Sequence, residues 1–112
     1  MRQLNFNVIP LQAGTTTNSV AVNSVNLFQI SAQIAATAGA AGTLKLQASN
    51  DDSEAANFVP VNWSDIPGAT IAVAGAGAYL IPNQEICYEY IRAVYTSTGA
   101  GTISVVLKAL GA

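Results

Sequence analysis

Residues 25–37 alternate apolar and polar side chains almost without a break: Phe28, Ile30, Ala32 and Ile34 fall on one side, Gln29, Ser31 and Gln33 on the other. A two-residue period is what a half-buried strand needs, because successive side chains of extended chain point to opposite faces. The same period recurs along the sequence in short runs bounded by clusters of Gly, Pro, Asn or Thr. The alanine-rich stretches offer no helix in its place, since Gly or a β-branched residue interrupts each before three helical turns are complete. The pattern predicts an all-β fold, an antiparallel β-sandwich or jelly roll of about eight strands.

The runs can be placed in order. Residues 3–8 set Leu4, Phe6 and Val8 opposite Gln3, Asn5 and Asn7, and Pro10 ends the run. A turn at 14–18 and a short strand at Val20 and Val22 precede the long strand 25–37. After the small-residue turn 38–42, residues 43–49 turn Leu44, Leu46 and Ala48 one way and are expected to pair with 25–37 as a hairpin. The acidic stretch 50–57 reads as a loop, residues 58–63 as a short irregular strand limited by Pro60, and Pro67-Gly68 as a turn. Residues 70–73 and 78–81 read as short strands flanking a bend. The last pair, 86–96 and 102–109, reads as a C-terminal hairpin around the turn 97–101. In 86–96, Cys87, Glu89, Ile91, Ala93 and Tyr95 share one face and Ile86, Tyr88, Tyr90, Arg92 and Val94 the other; two largely apolar faces predict a central strand. With no internal repeat and no linker, the 112 residues are expected to form one domain.

Half of these residues are apolar, yet only four Lys or Arg and six Asp or Glu are present. An ordinary soluble domain carries charge on about a quarter of its residues. A surface this poor in charge predicts that much of it is covered in the working state, so the expected form is a homo-oligomer or larger assembly; among homo-oligomers a trimer is favoured. Four cations and a net charge of −2 cannot form the basic stripe that nucleic acid requires. No apolar run reaches the roughly 20 residues that span a bilayer as a helix, and residues 1–10 lack the pattern of a signal peptide. The expectation is a chain made and kept in the cytosol, or exported by something other than its own leader. The lone Cys87 permits no internal disulfide and reads as a small buried hydrophobe in a strand.

Chemistry is sparse. There is no histidine, the usual group for proton exchange near neutrality, and no Gly-Lys-Ser or Gly-Lys-Thr phosphate cradle. Asp51, Asp52, Glu54 and Asp65 form the one local group of carboxylates; they read as a solvated loop supplying turn geometry, not as an acid–base pair. Residues 50–54 are rich in oxygen but lack the spacing and glycine of an EF-hand loop, so neither metal nor cofactor is expected. Trp63 is open to two readings: a core residue with its N–H bonded to a nearby loop, or an exposed platform for a sugar ring or a protein partner together with Asn50, Asp51 and Asp52. Arg92 is open to pairing with Glu85 or Asp65, or to capping a neighbouring subunit.

Residues 44–51, Leu-Lys-Leu-Gln-Ala-Ser-Asn-Asp, followed by Asn62-Trp63-Ser64-Asp65-Ile66, are similar to a string found in discoidin-type carbohydrate-binding modules, without their paired cysteines. Residues 90–96, Tyr-Ile-Arg-Ala-Val-Tyr-Thr, with the glycine turn and Thr102-Ile103-Ser104-Val105 beyond it, more closely resemble small structural proteins of tailed bacteriophages. That resemblance implies a non-enzymatic virion component: a capsid decoration or cement protein, or a small tail or connector subunit, made in the host cytoplasm. It would bind a capsid or other virion protein by packing and backbone pairing, with residues 3–8 or 14–18 available to add a strand to a neighbour. The alternative is a carbohydrate-binding module on a virion or cell surface.

Overall fold

The computed structural model describes residues 2–12, 17–18, 21–24, 27–51 and 58–111. Their strands are β1 (Arg2–Gln12), β2 (Thr17–Asn18), β3 (Val22–Asn23), β4 (Leu27–Ala36), β5 (Ala41–Ser49), β6 (Ser64–Ala74), β7 (Gly77–Glu85), β8 (Tyr90–Ser97) and β9 (Ile103–Gly111). They form two antiparallel sheets, one ordered β1-β9-β4-β7 and the other β2-β8-β5-β6, with β3 also paired to β8. Because β2 and β3 are two pieces of one edge, there are eight strand positions. Their pairs nest: β1 with β9, β2 and β3 with β8, β4 with β7, β5 with β6. A long ribbon of such pairs, rolled so that β4 meets β9 and β5 meets β8, is the jelly-roll arrangement.

The inner faces follow the two-residue period. Ile30, Ala32 and Ile34 of β4, Leu44 and Leu46 of β5, Ile91, Ala93 and Tyr95 of β8, and Ile103, Val105 and Leu107 of β9 are all buried in one core. As two apolar faces predict, β8 is an inner strand of its sheet. Phe28 departs from the expected phase. Between Leu27 and Gln29 the register with β9 slips by one residue, so Leu27 takes the inward place and Phe28 turns out to 40% exposure.

Both expected hairpins are overturned. Residues 37–40 carry the chain from β4 in one sheet to β5 in the other, and residues 98–102 carry it from β8 to β9 in the same way. Strand alternation cannot distinguish a partner in the same sheet from one facing it across the core, since both bury the same face. The segment 58–63 is not a strand, and the final strand pair begins at Tyr90 rather than at residue 86. Pro67-Gly68 is no turn either: it lies inside β6, where residues between Asp65 and Thr70 bulge from the ladder with β5 and Gly68 takes φ +79°. Residues 3–8, expected to be available for strand addition to a neighbour, pair with β9 of their own chain on one side and form an edge of the sheet. Of residues 14–18 only 17–18 are described; they pair with β8.

The crossings are tied side by side at one end of the sandwich. Thr37 N–H donates to Thr102 O (2.9 Å), Thr102 N–H to Thr37 Oγ1 (2.8 Å), Gly75 N–H to Ala40 O (2.7 Å) and Thr98 N–H to Ala41 O (2.8 Å). Tyr79 straddles the β6–β7 crossing: its hydroxyl donates to Gly75 O and accepts from Ala74 N–H. The sheet edges are treated alike. Pro10 of β1, Pro67 of β6 and Pro82 of β7 each fall on an edge strand at a register shift, and the fourth edge is broken between β2 and β3.

Candidate functional site

The two outer faces of the sandwich differ in kind. On the outer face of β1-β9-β4-β7, Gln33 lies between Leu80 and Val106, Ala35 between Ala78 and Ser104, and Ser31 beside Lys108. Leu80 is 54% exposed, and Lys108 is the one charge among these residues. With Glu85 opposite Gln29 in the next row, the result is a surface poor in charge, whose rows at Gln33 and Ala35 carry none.

The opposite outer face carries a polar ladder. Gln47 on β5 sits between Arg92 on β8 and Asp65 on β6. Its amide donates to Asp65 Oδ1 (2.9 Å), which turns its carbonyl oxygen toward Arg92, and that oxygen accepts from both Nε (2.9 Å) and Nη2 (2.8 Å). Lys45, one step along β5, makes an ion pair with Asp65 (3.2 Å). Asp65 therefore titrates below an ordinary aspartate, chiefly through the Gln47 hydrogen bond and then through Lys45. Arg92 pairs with neither Glu85 nor Asp65 among the described contacts; its partner is neutral, and its guanidinium lies over the Trp63 ring, 4.4 Å from the centroid. Burial pulls its pKa down.

Trp63 combines the two expectations. It is half-buried, its indole N–H donates to Pro60 O (3.2 Å), and it lines a hollow of about 350 Å³ with Ala21, Phe58, Val59, Pro60, Tyr90 and Arg92. Phe58 and Tyr90 meet at a tilt, centroids 6.1 Å apart.

Asp51 holds the residues between Pro60 and Trp63, two members of the hollow's lining. Its Oδ2 accepts the backbone N–H groups of Val61 and Asn62 (both 2.8 Å) and its Oδ1 the side-chain amide of Asn62 (2.9 Å). These bonds, led by that of the Asn62 side chain, hold its pKa below the ordinary value. Asn50 is likewise engaged, its side-chain oxygen accepting the Glu89 N–H (3.1 Å). The structure thus brings Asn50, Asp51 and Trp63 to one region but uses the first two internally; Asp52 lies outside the described residues. Tyr90 and Phe58 carry no sequence motif that marks them as parts of a hollow, nor does Gln47 carry one that marks it as the support of Arg92. Cys87, expected in a strand and buried, lies exposed between β7 and β8. Among the described residues no group of three or more His, Cys, Asp or Glu is placed to hold a metal ion.

No protein-family model matches the chain, and no curated protein does. Solved structures do. The chain is similar to the SPBc2 prophage-derived protein YomS at 10% identity and a TM-score of 0.63, over 96% of this chain and 92% of that one. It is similar to the PBSX exported protein XepA at 14% identity and a TM-score of 0.67, over 97% of this chain but only 37% of XepA. PirA follows at 14% identity and a TM-score of 0.56, over 96% and 93% of the two chains. At such identities the likeness is one of fold, and it is a fold that phage-derived proteins carry.

Proposed function

We propose that this chain is a non-enzymatic structural subunit of a phage or phage-like particle, and specifically a decoration or cement protein that docks on a protein shell and stabilises it by packing. In this reading the whole chain acts as one domain, forms a homo-oligomer with a trimer favoured, and resides in the virion after synthesis in the host cytoplasm. The observation that carries it is the outer face of β1-β9-β4-β7, where Leu80, Val106, Ala35 and Ala78 stand among uncharged neighbours and the charges, Lys108 and Glu85, lie in the adjacent rows of Ser31 and Gln29. A sheet face poor in charge can be desolvated against a partner at low cost, whereas every buried unpaired charge would oppose docking. The phage-derived neighbours of the fold point the same way. A carbohydrate-binding role on Trp63 with Asn50, Asp51 and Asp52 has less support, because the oxygens of Asn50 and Asp51 are engaged in internal hydrogen bonds.

Light scattering on the purified protein, followed by co-sedimentation with assembled particles, tests the proposal. A trimer or larger ring that sediments with particles is expected, and Leu80→Lys should weaken that sedimentation at least about tenfold by placing an unpaired charge in the contact. A monomer that ignores the particles overturns it.

A further inference from the structure

The hollow at Trp63 lies on the face opposite the proposed docking surface, and its construction indicates a ligand of its own. Six of its seven lining residues are apolar or aromatic, and the seventh is a guanidinium. Tryptophan, tyrosine and arginine are the side chains over-represented where one protein grips another. The guanidinium is fixed before any ligand arrives: Gln47 accepts two of its N–H groups through one oxygen, and Asp65 fixes the Gln47 amide. Its immediate partner is neutral, and among the described residues no carboxylate stands within ion-pair distance of it. The opposite wall is equally pre-set, since Asp51 and the Trp63 N–H pin residues 60–63. A rigid apolar hollow of this size holds one large side chain, and the charge beside it selects a carboxylate.

We infer that this hollow binds an extended segment of a partner protein that presents a large apolar side chain next to a carboxylate, the apolar group seated among Phe58, Trp63 and Tyr90 and the carboxylate on Arg92. The inference goes beyond the shell-docking reading and does not depend on it. The subunit would then carry two contacts on opposite faces, one poor in charge, the other aromatic and cationic.

Trp63 is the only tryptophan, so its fluorescence reports on the hollow directly. The probes are the peptide acetyl-Ala-Leu-Glu-Ala-amide, its Gln analogue, and methyl glucoside. Titrated into the intact protein, the Glu peptide should shift Trp63 emission saturably and bind roughly fivefold more tightly than the Gln peptide at low salt. Arg92→Gln should erase that preference while leaving the thermal melt close to wild type. Gln47→Glu, which supplies Arg92 with an internal carboxylate, should erase it as well. Equal binding of the two peptides, no emission change with either, or saturation by methyl glucoside alone would each overturn the inference. Co-sedimentation of Arg92→Gln with particles separates the two proposals: retained sedimentation leaves the docking reading intact whatever the peptides show.

Discussion

Asp51 shows how one side chain can organise a region. Its carboxylate accepts three N–H groups from Val61 and Asn62, and those hydrogen bonds exist in full only for the ionised form. Its pKa in the fold lies below the unfolded value of about 3.9. The stabilisation is therefore complete above about pH 4 and is lost as the pH falls through the folded-state value. Trp63, one residue beyond Asn62, should report this as an emission change with an acid midpoint below that of a free aspartate. In Asp51→Asn the acid step should vanish, and the Val61 and Asn62 amides should exchange on the order of tenfold faster at neutral pH. Cys87 makes a simpler case. Because its side chain is exposed, a maleimide should label it in the native protein nearly as fast as in the denatured one; protection would contradict its placement. The sequence showed Asp51 as a turn former but could not show which turn, since its partners lie ten and eleven residues away.

At the scale of elements, the period of two identified the inner faces of β4, β5, β8 and β9, and the core is built on them. Leu46→Ala should cost about 2–5 kcal/mol in a denaturant titration, because the side chain is wholly enclosed and its removal leaves a cavity. What alternation could not reveal was the roll. Neighbouring runs bury the same face whether they lie edge to edge or across the core, and the pairings that decide the matter, such as Arg2 with Gly111, span the whole chain. Phe28 was misplaced for a related reason: a one-residue slip against β9 has no local sign in the sequence. The crossings depend on close backbone approach. A Cβ on the buried Gly101 would collide with the backbone of Ala38 and Ala40. Gly101→Ala should therefore destabilise the fold by about 1–3 kcal/mol, read as a lower melting temperature, while Ala100→Ser, at an exposed neighbouring position, should be nearly neutral.

At the scale of the molecule, the scarcity of charge that led to the expectation of assembly is unevenly distributed. Lys45, Asp65 and Arg92 crowd the outer face of one sheet, while on the described outer face of the other Lys108 and Glu85 leave the rows of Gln33 and Ala35 without charge. Composition gives the number of charges; only the pairing of the strands shows where they lie. Edge prolines have a consequence for growth. With donors removed and ladders bent at Pro10, Pro67 and Pro82, one copy cannot readily template the next along a hydrogen-bonded sheet, so accumulation in a crowded cell need not lead to fibres. An assembly joined through faces, by contrast, can close on itself at a fixed number of members, where an open sheet edge has no such stopping point.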